Sequence, residues 1–328
     1  MKNRLALRNI LFVTITLTCS VGANGQDKIT VGYDGYAGYQ GAIWAAKDLG
    51  LFERHGLSAD LVLIPGSARG MAALLTDSTQ FAQGSASAPI PVRARGGDIV
   101  MVAAALNKFA LSVIAQKEIH KPADLVGKRV GILNFGGSND LAISMAFREW
   151  GIARPSVTIL AAGGAAERLA ALSSKVIDAT VLAPPETVAA ARMGMNLLAN
   201  LGDLSASFPN TVVTVRRSYL DKNRELVKRF VRAYSEAIYR FKTDKESGLS
   251  VYRKRLKQQD PKIVEATYQY YAPKFSYPPR VERNGIRTAL ELIGQRNTDI
   301  KADGNADQFV DQSVVDELER EGFFKKLR

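Results

Sequence analysis

One cysteine and two histidines in 328 residues leave little material for metal or nucleophile chemistry. Zinc sites and thiol enzymes need Cys, His and acids at ligand or triad spacing, and no such cluster stands in the chain. Asp299, Asp303, Asp307 and Asp311 recur every fourth residue, the pattern of a loop running into a helix face rather than of a calcium loop. Long apolar runs are missing as well. The longest near the N-terminus, Ile10 to Leu17, falls far short of the ~20 residues that cross a bilayer. No nucleic-acid motif is present, and no cofactor motif, metal site or cofactor is expected.

What is present describes a folded chain. Apolar residues make up 46% and charged residues 23%, enough for a globular core, and the length suggests two domains or one large α/β unit. Residues 1–23 read as an export signal. Lys2, Arg4 and Arg8 give a basic start, Ile10 to Leu17 an apolar stretch, and Val21-Gly22-Ala23 a small-residue cleavage site. Thr16-Leu17-Thr18 before Cys19 is a poor lipidation box. Cleavage after Ala23 would remove the only cysteine, leaving a mature chain that relies on its core in an oxidising compartment. The formal charge of +12 would fall to +9. Much of that excess lies between Lys222 and Lys257 and reads as a solvated helical face.

A strand, loop and helix pattern recurs along the chain. Lys28 to Tyr33 is a strand, followed by the loop Asp34 to Tyr39 and a helix ending at Gly50. Ser58 to Ile64, then Pro65-Gly66-Ser67-Ala68, repeats the plan with a helix from Arg69. Phe81 to Gly84 leads into Ser85-Ala86-Ser87-Ala88 and a helix opening at Pro89. Ile99 to Leu106 and Phe109 to Gln116 are further strands. The pattern then restarts with Val130 to Leu133, the loop Asn134 to Gly137, and a helix carrying Leu141, Ile143, Met145, Ala146 and Trp150 on one side. Ser138, Asn139 and Asp140 are all good caps for that helix, and its free N–H groups suit an anionic or strongly accepting group. An ordinary βα turn has the same spelling. Ala179 to Leu182 ends in Ala183-Pro184-Pro185-Glu186 before another helix. Tyr219 to Lys257 reads as helical, as do Pro261 to Tyr271, Val281 to Ile293 and Ser313 to Glu321. In an open α/β sheet the loops at the carboxyl edge hold ligands. Tyr33, Tyr36 and Tyr39 could wall such a pocket with rings and hydroxyls or pack against neighbouring loops.

These segments resemble the type II periplasmic solute-binding proteins of ABC transporters, in the sulfonate, taurine and nitrate branch, related to the thiamine-pyrimidine-synthase-like superfamily. The resemblance rests on Lys28 to Tyr33, Ala45 to Ser67, Ala123 to Leu133 with its Gly-Gly-Ser, and Glu167 to Glu186. It implies an α/β fold of two Rossmann-like lobes joined by two crossing segments, with a ligand cleft between them. Lobe one would be residues 24–110 plus 212–328, and lobe two residues 111–211. The resemblance places ligand contacts at Asp34, Tyr36, Tyr39, Gly66, Ser67, Ala68, Ser85 and Ser87 in lobe one. In lobe two it places them at Phe135, Gly136, Gly137, Ser138, Asn139, Pro185 and Glu186. It further implies a periplasmic monomer that passes a small, anionic organic ligand to an inner-membrane permease. Two helix starts, Ser67 to Arg69 and Ser138 to Asp140, would clamp the anion.

An alternative partner is a membrane receptor, for which the same cleft would serve as a sensor. An enzyme of the thiamine-precursor branch would imply a reactive loop rich in cysteine and histidine. The mature chain lacks it, and His55 and His120 sit in a helix-end turn and a linker and read as surface residues, so no enzyme is expected. Arg69, Arg93, Arg148, Arg168 and Arg192 are possible charge partners that also read as surface helix residues.

Overall fold

The computed structural model describes residues 25–256, 258–301 and 304–327. The expected export signal, its cleavage after Ala23, the state of Cys19, and Asp303 of the aspartate ladder lie outside them. Ten strands form in the order the sequence pattern suggests. They are β1 (Asp27–Tyr33), β2 (Leu57–Leu63), β3 (Phe81–Gly84), β4 (Val100–Leu106), β5 (Ser112–Ala115), β6 (Arg129–Ile132), β7 (Thr158–Ala161), β8 (Ala179–Leu182), β9 (Asn196–Asn200) and β10 (Thr211–Val215).

The strands divide into two sheets of the same plan. One runs β2-β1-β3-β10-β4 and the other β7-β6-β8-β5-β9. In each, three parallel strands meet an antiparallel strand that has come over from the other half of the chain: β10 beside β3 and β4, β5 beside β8 and β9. The chain passes from the first sheet to the second between Leu106 and Ser112, and returns between Asn200 and Thr211. Two α/β lobes joined by two crossing segments result. Strand β4, Val-Met-Val-Ala-Ala-Ala-Leu, is buried along its whole length, as a strand covered on both faces must be.

The crossing segments are bound to each other. Phe109 stacks on Phe208 at 4.2 Å, both fully buried, and Phe208 N–H donates to Asn107 O at 2.9 Å. The Asn107 side chain donates to Ser276 Oγ (3.1 Å) and Arg280 O (2.8 Å) and accepts from Glu282 N–H (3.0 Å), tying the first crossing to the C-terminal segment. Lobe one is packed on the helix Arg224–Thr243, whose Phe230 stacks on Phe81 at 3.9 Å and whose Tyr234 is wholly buried.

Three expectations change here. The stretch Tyr219 to Lys257 is three helices, Arg217–Lys222, Arg224–Thr243 and Lys245–Arg255. The second break comes where Asp244 turns its side chain onto Ser247 N–H (3.1 Å) and starts a new helix. Nor is the basic face simply solvated. Lys228 pairs with Glu317 and Glu321, Arg229 with Asp27, Arg240 with Glu236 (3.0 Å) and Arg255 with Asp48 (2.6 Å). His55, expected at the surface, is mostly covered and lies 3.0 Å from Glu236. Among the described residues, no helix is long and apolar enough to cross a membrane.

Candidate functional site

Three loops of lobe one meet at the carboxyl ends of β1, β2 and β3, and Asp34 is their common partner. Its Oδ1 accepts from Gln40 Nε2 at 2.8 Å and its Oδ2 from the Ser67 hydroxyl, while its backbone carbonyl accepts from Gly66 N–H at 3.1 Å. The Ser67 oxygen in turn accepts from Ser85 N–H (3.1 Å), and Ser85 Oγ from Ser87 N–H (3.3 Å). The carboxylate rests on the end of β3, where a Cβ on Gly84 would approach Asp34 Oδ2 to 2.8 Å and Ser67 Oγ to 2.9 Å. Burial pushes the Asp34 carboxyl above its ordinary range, and the donors from Ser67, Ser85 and Gln40 pull it back. A void of about 10 Å³ beside it, lined in part by Tyr33, Ser67 and Gln83, is at most the size of one water.

The neighbouring helix is Ser67–Leu75, capped by Gly66 in the left-handed region (φ 88°), so Ser67 opens it two residues before the expected Arg69. Ala68 is exposed at its first turn. Tyr36 is 52% exposed and packs edge-on against Tyr33 at 6.1 Å. Tyr39 is half-buried, with its hydroxyl over Gly35 where a side chain would run into it.

In lobe two the loop after β6 leads into the helix Ser138–Trp150. The expected caps Ser138, Asn139 and Asp140 are its first three residues instead, and Gly137 takes the cap position. Asp140, at the third position, reaches back past the cap to accept from Gly136 N–H at 2.7 Å. Gly136 needs its left-handed φ of 74° to present that N–H. Asp140 is fully buried between Arg154 (2.6 Å) and Arg296, the latter from the far side of the chain's second crossing. Phe135 stands 60% exposed, and Asn139 is half-buried.

The segment Pro209-Asn210 of the second crossing touches both lobes. Ala86 N–H donates to Pro209 O (3.1 Å), and the Ser138 hydroxyl donates to Asn210 Oδ1 (2.8 Å). The Ser85 and Ser138 loops therefore converge there. Pro185 and Glu186 follow a cis bond between Pro184 and Pro185 and open the helix Glu186–Arg192. Burial raises the Glu186 carboxyl, which the Arg168 guanidinium opposes. Burial raises the Tyr39 hydroxyl well above its ordinary value, the Asp34 and Glu186 carboxyls add to the rise, and the Arg168 guanidinium of lobe two opposes it.

Arg168 was expected at the surface and is 5% exposed. It donates to Gly163 O and to Val181 O (3.2 Å), and its buried Nε–H has no hydrogen-bond partner. Its position four residues before buried Leu172 is the signal that places it on the inner face of the helix Ala165–Ser173. Gln40, Gln83 and Tyr234 are also absent from the expected set, although they support Asp34 from behind. A larger groove, about 510 Å³, lies between the helices Ala165–Ser173 and Glu186–Arg192 and shares Glu186 with the site just described. Among the described residues, no group of three or more His, Cys, Asp or Glu could hold a metal ion.

Residues 38–245 match the family model described as NMT1/THI5 like. A protein of Brucella abortus (strain 2308), named as a binding protein without a stated ligand, is 30% identical over 237 residues, 70% of this chain and 72% of that protein. Among solved structures, the ligand-binding component of an ABC-type import system from Staphylococcus aureus superposes with a TM-score of 0.75 at 19% identity, covering 89% of this chain and 99% of that one. The periplasmic aliphatic sulphonate binding protein of Escherichia coli gives 0.74 at 19% identity, covering 87% and 92%. At these identities the two structures speak for the periplasmic-binding-protein fold.

Proposed function

Since the family match spans more than half of its length, the chain belongs to the NMT1/THI5-like family, and from that premise we propose that it is an exported solute-binding protein serving an ABC importer. The observation that carries this reading is the convergence of loops from both sheets on Pro209-Asn210, through Ala86 N–H and the Ser138 hydroxyl. The importer component and the sulphonate-binding protein named above support it through their fold. In this reading the protein is a periplasmic monomer without catalytic activity, and its partner is an inner-membrane permease. Residues 1–23 are the export signal, 24–110 with 212–328 make lobe one, and 111–211 make lobe two.

Capture works by population shift. A solute that touches the Asp34, Ser67 and Ser85 loops and also the Phe135–Asn139 and Pro185-Glu186 loops binds the shut cleft best, and that difference in affinity drives closure. The solute is a small organic molecule. Both helix starts expected to clamp an anion already face a protein carboxylate, Asp34 at Ser67 and Asp140 at Gly136. Any anionic group on the solute therefore finds its counter-charge at Arg168, whose Nε–H is unsatisfied.

Thermal unfolding against alkyl sulfonates, taurine, nitrate, aromatic carboxylates and aminopyrimidines tests the reading. A solute present at about 100 times its dissociation constant adds ~2.7 kcal/mol, which moves the midpoint by several degrees. A shift with one chemical class supports a binding protein. No shift with any of them, and no co-purified small molecule by native mass spectrometry, contradicts it.

A further inference from the structure

Asp34 has donors but no counter-ion. Among the described residues no lysine, arginine or histidine forms an ion pair with it, although its carboxylate is enclosed by Gly84, Ser67 and Gln40. Buried carboxylates are ordinarily paired, because a lone charge in low dielectric is expensive.

The hydrogen bonds behind Asp34 run one way. The Tyr234 hydroxyl, wholly buried and kept protonated by that burial, donates to Gln83 Oε1 at 2.5 Å. Gln83 Nε2 donates to Gln40 Oε1, and Gln40 Nε2 donates to Asp34 Oδ1 at 2.8 Å. Turning both amides around would require Asp34 to become a donor and would leave the Tyr234 proton without its acceptor. The relay therefore fixes Asp34 Oδ1 as an acceptor, so a proton on this carboxyl has only Oδ2, against Ser67, to sit on, and once ionised the group has donors on both oxygens and no cation. Ser67 supplies a further donor on the other oxygen. Four side chains hold the charge in place, and none of them neutralises it.

Resting on the binding-protein reading, we infer that the solute carries a cationic nitrogen donor, a protonated amine or an amidine, which docks on Asp34 as its missing counter-ion. A hydroxyl would satisfy the acceptor but leave the charge uncompensated. The exposed ring of Tyr36, two residues along the same loop, offers a face to such a cation. Arg168 cannot play the part, since its guanidinium is tied to Gly163 O and Val181 O of lobe two.

The test compares matched probes on the full chain: 4-(aminomethyl)benzoate against 4-methylbenzoate, and benzamidine against benzamide, each up to about 10 mM. Calorimetry or thermal shift should rank each cationic probe at least about tenfold above its neutral-substituent partner, and Asp34→Asn should level the pair. Should the Asp34→Asn protein fail to fold, the wild-type ranking decides alone. Equal or reversed ranking overturns the inference and leaves the binding-protein reading standing, as does a cationic preference that survives in a folded Asp34→Asn protein. Binding by none of these probes, together with no shift across the wider solute series, overturns both.

Discussion

Two carboxylates, Asp140 fully buried and Asp34 half-buried, sit at corresponding places in the two lobes, each beside the start of a helix at a sheet's carboxyl edge, and they are treated in opposite ways. Asp140 lies between two arginines and also closes its own helix start through Gly136 N–H. Asp34 is served by Ser67, Gln40 and Ser85, neutral donors all. A carboxylate with two cations is finished as it stands, whereas one with neutral donors alone retains an unmet electrostatic demand. The difference separates a group that fastens the architecture from one offered to a solute.

Breaking the Asp140 side should have the largest effect. Asp140→Asn leaves Arg154 and Arg296 facing a neutral amide and should cost about 3–5 kcal/mol in denaturant unfolding. Arg168→Met comes next. It removes two charge-assisted bonds to Gly163 O and Val181 O, and a loss of about 2–3 kcal/mol is expected by the same measurement. Tyr234→Phe strips the relay of its first donor, leaving Gln83 Oε1 short of a partner, at about 1–2 kcal/mol. At the bottom of the scale, Glu246→Gln breaks the exposed pair with Arg253 and should change stability by less than about 0.5 kcal/mol.

Much of the fold was legible because the sequence marks it locally. The Gly- and Ser-bearing loops after β1, β2, β3 and β6 punctuate apolar strands of four to seven residues, and the parallel grammar follows from helices between them. The loops that approach Pro209-Asn210 were legible for the same reason. What could not be read was charge pairing across distance. Arg296 meets Asp140 over 156 positions, and Tyr234 meets Gln83 over 151. No window of local sequence carries either contact. The basic helical run misled for this reason: its partners Asp27, Asp48, Glu317 and Glu321 arrive from both ends of the chain. Arg168 was closer to hand, since a four-residue step to Leu172 sets it on a buried face.

The most direct measurement needs no ligand: unfolding free energy of wild type and Asp34→Asn from about pH 4 to pH 8, with Asp140→Asn alongside. Burial holds the folded Asp34 above its unfolded value, so the folded state keeps that proton to higher pH than the unfolded state does. The favourable contribution is present at low pH and is lost as pH rises through the folded value. Wild type should therefore lose ground to Asp34→Asn as pH rises, with the variant at least as stable at pH 8, while Asp140→Asn stays the weakest throughout. An Asp34→Asn protein that is strongly destabilised at pH 8, as Asp140→Asn is expected to be, would contradict the account and make Asp34 a second structural anchor.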